Sequence, residues 1–157
     1  FERLTMPIRK DNIGEPSIYD IALLRNFFLP KLSREGAKQN VYISRLNSSR
    51  SPIFERKLQN QLTAKGWKIA YLEEMDLITQ FNLFQNAKSI LGVHGAGLSG
   101  LIFSDVETPI FELYAFDRDI KCFENIAKVT GHNFTRIPFE SEAREIPANL
   151  KSMINLM

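Results

Sequence analysis

SILGVHGAGLSGLIF, residues Ser89 to Phe103, is the stretch whose reading decides the fold. It opens on Ile90, Leu91, Gly92 and Val93, an apolar run with the length and β-branched character of a buried strand. His94, Gly95, Ala96 and Gly97 break that run, and Leu98 to Phe103 read as a short helix. A strand that passes through glycines into a helix leaves unpaired backbone N–H groups at the helix start, where the helix dipole adds partial positive charge. Such a place suits a phosphate. A tight turn that needs glycine for its backbone angles accounts for the same residues without any ligand.

The flanking sequence repeats the strand-then-helix rhythm. Ser17 to Phe28 reads as a helix with Ile21, Leu24 and Phe28 on one face, stopped by Pro30. Asn40 to Ser44 reads as the first strand and is followed by a polar loop, Arg45 to Arg50. Ser51 and Pro52 suit an N-cap and first helical position, and Phe54, Leu58 and Leu62 give the apolar face of a helix ending near Gly66. Trp67 to Leu72 reads as a second strand, and Asp76 caps a helix carrying Leu77, Phe81 and Phe84. After the glycine stretch come a strand over Thr108 to Leu113 and a helix with Ile120, Phe123, Ile126 and Ala127, capped by Asp119 and stopped at Gly131. Phe134 to Ile137 suits a short fifth strand, and Leu150 to Met157 a closing helix.

This alternation predicts an α/β fold: a Rossmann-like parallel sheet flanked by helices. Ligands on such sheets bind beyond the carboxyl ends of the strands, where the strand order reverses. If strand one neighbours strand three, Arg45 and the His94 loop face each other there. Arg45 and Arg50 are then candidates to fork onto a phosphate. His94 is a candidate donor to a phosphate oxygen, and Glu112 at the end of strand four suits ribose hydroxyls. Gln80 is placed to support the loop from behind. Solvated surface side chains, or a satisfied strand-end histidine, explain the same residues without a ligand.

Composition narrows the function classes. The 157 residues are 44% hydrophobic and 24% charged, which fits one globular domain and argues against disorder. A net charge of +2 makes no case for nucleic acid or an acidic membrane surface. Cys122 is the single cysteine, so neither an internal disulfide nor a thiolate metal cage is possible, and it reads as a small core residue. No apolar run approaches the roughly 20 residues of a membrane helix, so no direct membrane insertion by this segment is expected. The chain begins at Phe1 and reads as part of a longer protein. The sequons at Asn47 and Asn133 are of the kind chance supplies.

Gly95, Gly97 and Gly100 also match Gly-x-Gly-x-x-Gly, with Glu112 at nearly the dinucleotide-fold spacing. An NAD(P)- or flavin-dependent oxidoreductase is therefore a rival reading. That fingerprint usually sits on the first strand of its domain, whereas two strand–helix units precede it here. Asp117-Arg118-Asp119 is similar to the metal-holding acid pair of some sugar transferases, but Asp119 has a simpler use as a helix cap.

Taken together, Arg45, the Gln80-x-x-Leu83-Phe84-x-x-Ala87 helix, the Ile90-Leu91-Gly92-x-His94-Gly95-Ala96-Gly97-Leu98 block, Phe103 and Ile110-Phe111-Glu112-Leu113 resemble the C-terminal part of glycosyltransferase family 61. The resemblance covers about residues 40 to 115. It implies the C-terminal, donor-binding half of a two-domain GT-B-type enzyme. That enzyme would transfer a hexosyl or pentosyl group with inversion from a nucleoside diphosphate, UDP in the first instance, to a glycan or protein acceptor, as in polysaccharide biosynthesis. No cofactor and no metal are implied. Arg45 and the loop His94, Gly95, Ala96, Gly97 and Leu98 would hold the diphosphate, with Glu112 near the ribose; Arg50 joins the donor-binding candidates from its place in the polar loop.

The resemblance also divides the chain into a lead-in segment and helix over 1–36, a nucleotide-sugar-binding domain over 37–140 and a helical tail over 141–157. The catalytic base and acceptor site would lie in a missing N-terminal domain, leaving this portion inactive alone. A non-catalytic nucleotide-sugar-binding module is a third reading. Compartment follows the source: cytoplasm in a bacterium, secretory-pathway lumen in a eukaryote. Two departures stand out. Ser51-Pro52-Ile53-Phe54-Glu55 replaces the family's Asn-Glu pair, and Ser99-Gly100 replaces Thr-Asn after the glycine block.

Overall fold

The computed structural model describes residues 16–34, 37–117 and 119–156; most of the lead-in segment, Arg118 and Met157 lie outside them. The order is α1 (Ile18–Phe28), β1 (Gln39–Ile43), α2 (Glu55–Ala64), β2 (Lys68–Ala70), α3 (Leu77–Gln85), β3 (Ala87–Val93), β4 (Ile110–Ala115), α4 (Cys122–Thr130), β5 (Phe134–Phe139) and α5 (Ala148–Leu156). A 3₁₀ turn, Leu72–Glu74, follows β2, and a longer 3₁₀ helix, Ala96–Phe103, follows β3.

The five strands form one parallel sheet in the order β2-β1-β3-β4-β5. The expected α/β architecture is therefore present, and β1 does neighbour β3. That gap is where the chain reverses its direction of travel across the sheet, the place where open α/β sheets carry ligands.

Both faces of the sheet are covered. Successive strand side chains point to opposite faces, so Val41, Ile43, Ile90 and Ile110 meet one layer while Tyr42, Leu91, Val93 and Leu113 meet the other. The first layer comprises Ile21 of α1, Leu83 and Phe84 of α3, Leu98, Leu101 and Phe103 of the 3₁₀ helix, and Phe123 of α4. The second contains Phe54, Leu58 and Leu62 at the start and along α2, Trp67, Ile146, and Leu150 and Ile154 of α5. In β3 every residue but Lys88 is buried, as a central parallel strand requires.

Several sequence expectations shift at their boundaries. Ser51 does not cap α2. Its hydroxyl donates to Glu55 (2.6 Å), and the helix begins only at Glu55, because that buried carboxylate draws the nearby donors to itself. The second strand is shorter than Trp67 to Leu72, since the chain turns into the 3₁₀ segment at Leu72. The fifth strand is longer, reaching Phe139 through Pro138, which an edge strand tolerates. Asp119 does not cap α4. The helix starts at Cys122 with no side-chain cap, and the Asp119 carboxylate is bound to Arg136 instead. Leu24, Leu77 and Ile120 are exposed rather than on a buried face, and Cys122 is half-buried. No helix among the described residues is long and apolar enough to cross a membrane.

The 3₁₀ helix packs against α3 so closely that a Cβ on Gly100 would come within 2.2 Å of the Phe84 ring. Gly100→Ala is expected to cost about 1–3 kcal/mol through overpacking, read as a lowered urea midpoint at unchanged slope. Buried His132 contacts the Ser104 hydroxyl through Nε2 (2.9 Å) and Thr130 through Nδ1 (2.6 Å). Burial above all, then the charge of Arg25, holds its pKa below the usual 6.5. The unfolded chain thus takes up a proton that the native state refuses. The His132 contribution to stability is complete above about pH 6.5 and is lost as pH falls through the lower native value. His132→Gln is expected to flatten the decline in denaturation midpoint on the acid side of pH 6.5.

Candidate functional site

The site is built at the carboxyl edge of β1 and β3. Ile43, Gly92, Glu112 and Arg136 lie in one register row across β1, β3, β4 and β5. Gly92 sits in this row for a steric reason: a Cβ there would approach Leu98 to 2.9 Å and Ile43 to 3.3 Å. Its absence lets Leu98 fold back beneath the strand end, so the 3₁₀ helix starts directly above the sheet. The amides of Ala96 and Gly97 open that helix and have no earlier helical carbonyl to donate to. Ala96 is exposed and Gly97 half-buried.

Arg45 and the glycine loop meet as the sequence predicted. The guanidinium donates through Nη1 to the carbonyl of His94 and through Nη2 to the Ser48 hydroxyl (3.0 Å). It lies so tightly on the loop that a Cβ on Gly95 would stand 1.7 Å from Nη1. Burial first, and the like charge of Arg50 next, lower the Arg45 pKa from its ordinary value. Arg50 itself is exposed. Beside them is a hollow of about 330 Å³ lined in part by Arg45, Ser48, Leu72, Glu73, Ala96 and Gly97.

The His94 ring turns to the other side of β3. Its Nδ1 lies 2.6 Å from Oε1 of Glu112, and its edge packs on Phe123 with centroids 5.1 Å apart. Glu112 is fully buried, and its second oxygen accepts from Nε of Arg136 (2.7 Å). Both oxygens of Glu112, the acid expected near ribose hydroxyls, are engaged by His94 and Arg136, because a carboxylate at zero exposure requires such partners. Burial tends to lower the Arg136 pKa, but the hydrogen bonds it donates to Asp119 and Glu112 outweigh that and raise the value. Asp119 is thus engaged with Arg136, and Asp117 accepts from Ser141 (2.6 Å). Among the described residues no group of three His, Cys, Asp or Glu is arranged to hold a metal.

Gln80 supports a neighbouring loop, not the glycine turn: its amide donates to the carbonyls of Leu72 (2.9 Å) and Met75 (3.1 Å). Two site residues escaped the sequence reading. Arg136 carried no motif. Glu55 was visible only as half of an altered family pair. Its buried carboxylate accepts from the Arg45 amide (2.6 Å), the Ser44 hydroxyl (3.0 Å) and the Ser51 hydroxyl, fixing where the arginine loop leaves β1. Gln59 joins Ser44 (2.8 Å) to Tyr71 (2.9 Å) behind it.

Removing that acceptor leaves buried donors unpaired. Glu55→Ala is expected to lower stability by about 1–3 kcal/mol and to speed tryptic cleavage after Arg45 and Arg50. Glu55→Gln keeps an acceptor oxygen and is expected to lose less on both measures.

Comparison with known proteins places this geometry in a family. A sequence model described as Glycosyltransferase 61 matches residues 1–111. An EGF domain-specific O-linked N-acetylglucosamine transferase of Drosophila melanogaster is 31% identical over 94 residues, 57% of this chain and 18% of that protein. A protein of that description from Rattus norvegicus is 27% identical over 109 residues, 64% of this chain and 20% of its own. A β-1,2-xylosyltransferase of Arabidopsis thaliana is 29% identical over 86 residues, 55% of this chain and 16% of its own. The chain spans about a fifth of the length of these relatives. A solved structure, the metal-soaked Flv1 flavodiiron core from Synechocystis sp., aligns over 88% of this chain and 41% of its own at 12% identity. Its TM-score of 0.43 is too low to bear on fold or function. With most of its length matched by one family model, the chain belongs to glycosyltransferase family 61.

Proposed function

We propose that this chain is the donor-binding portion of an inverting glycosyltransferase of GT-B type. It would hold the diphosphate of a nucleotide sugar, UDP in the first instance, at the β1–β3 switch point. The single observation that carries this reading is the seating of the Arg45 guanidinium on the His94–Gly95 backbone, beside the first amides of the 3₁₀ helix. The Arg45 guanidinium and the first amides of the 3₁₀ helix border one small volume, with the Arg50 charge close enough to act on Arg45, an arrangement that suits a diphosphate.

In transfer, the bond from the anomeric carbon to the diphosphate oxygen breaks, and negative charge gathers on the leaving group. Arg45, the helix amides and His94 would stabilise that charge with fixed dipoles and donors, which lowers the barrier without a metal. Inversion also needs a base for the acceptor hydroxyl on the face opposite the leaving group. We place that base, the glycan or protein acceptor site, and hence the complete activity in the portion of the protein outside this chain.

Calorimetric titration tests the reading directly. UDP is expected to bind saturably, more weakly as salt rises. Arg45→Ala is expected to weaken it about 10–100-fold, the worth of a charge-assisted hydrogen bond pair. Saturable NAD binding with no response to UDP would establish the dinucleotide alternative. In the full-length protein, an undiminished transfer rate in the Arg45→Ala, His94→Ala double variant would reduce this chain to a non-catalytic module.

A further inference from the structure

His94, Glu112 and Arg136 form one line of contacts running from the end of β3 across β4 to β5. Nδ1 of His94 is 2.6 Å from Oε1 of Glu112, and Oε2 of Glu112 is 2.7 Å from Nε of Arg136. The guanidinium is held in turn by the Asp119 carboxylate and the carbonyl of Ile120 (3.2 Å), with Glu124 of α4 at 3.9 Å. It stacks 3.9 Å from the centre of the Tyr114 ring. From the β1 side, Arg45 meets only the His94 backbone carbonyl. Among the described residues these charged groups, with the Cys122 thiol near Glu112, face the imidazole and its partner.

A carboxylate only accepts, so its contact with His94 places a proton on Nδ1. In the neutral ring the lone pair then belongs to Nε2. The His94 side chain keeps 16% of its surface exposed, and Nε2 is the ring nitrogen not engaged by Glu112. Swinging Glu112 away would take its acceptor off Nδ1, and the Arg136 contact on its second oxygen holds the carboxylate against that. We infer that Arg136, acting through Glu112, is a positioning residue that fixes His94 with Nδ1–H inward and Nε2 offered to the ligand. The inference rests on the donor-site reading and specifies how its imidazole is presented. A diphosphate is met when Nε2 takes a proton from solvent and donates it in a hydrogen bond to a phosphate oxygen. Nδ1–H stays on Glu112, and the ring becomes a cation between two anions. Glu112 and Arg136 both lie beyond residue 111, where the family match ends.

The chain has two histidines, so ring-¹⁵N-histidine labelling gives two pairs of ring signals, assigned with His132→Gln. At a pH where both rings are neutral, His94 is expected to show a protonated Nδ1 and a lone-pair Nε2. Arg136→Met is expected to lose that preference, and Arg136→Lys to restore part of it. Should Arg136→Met fail to fold, Arg136→Lys and Glu112→Gln give the same readout, since an amide at 112 also donates and is expected to mix the two forms. A wild-type ring protonated at Nε2 and bare at Nδ1, or one preference shared unchanged by all variants, overturns the inference. UDP added to the same sample is expected to remove the lone-pair signal of Nε2. No response to UDP counts against the donor site and leaves the tautomer result standing.

Discussion

The structure depends on how closely the 3₁₀ helix approaches the carboxyl edge of the sheet. Gly92 leaves the space that Leu98 fills, Gly95 leaves the space that the Arg45 guanidinium fills, and Gly100 admits the Phe84 ring. None of these contacts needs an unusual backbone angle at its glycine. Each needs the missing Cβ, because a protein interior packed to crystal-like density has no slack for another carbon. The helix start is consequently pinned from below by a leucine, from the side by an arginine and from behind by a phenylalanine.

Two buried carboxylates flank this arrangement and are satisfied in different ways. Glu55 lies under the β1 side, where neutral donors and one backbone amide meet it at the first turn of α2, an end of the helix that favours negative charge. Glu112 lies under the β4 side and is met by an imidazole and a guanidinium. A buried anion is costly unless its oxygens are occupied. Each acid therefore fixes what it touches: Glu55 sets the exit of the arginine loop, and Glu112 sets the plane of the His94 ring. Arg45 and His94 thus reach the same glycine turn from opposite sides of β3, each tied to its own buried acid.

The glycine turn at the carboxyl edge of the sheet was legible in the sequence because its signals are local. An apolar run passing through glycines into another apolar run specifies strand, turn and helix within a few residues. Arg45 follows its strand immediately, and parallel topology then carries it to the same edge as His94. The weaker readings failed where a side chain had a stronger partner than the backbone amide it was expected to cap. Ser51 and Asp119 both suited helix caps by type and place, yet Ser51 serves Glu55, and Asp119 serves Arg136, seventeen residues later.

By itself the sequence determined the alternation of strands and helices, the glycine turn after the third strand and the family to which the chain belongs, since each is written in spacing along the chain. Tertiary structure alone decided that Glu112 faces His94 and Arg136 instead of open surface, and that Glu55 anchors the arginine loop. The physical reason is that a carboxylate takes its partners from whatever donors the fold brings within about 3 Å. For Glu112 the register that joins β4 to β5 supplies Arg136, and for Glu55 the packing of α2 beneath the end of β1 supplies Ser44 and the Arg45 amide, neither of which a local pattern encodes.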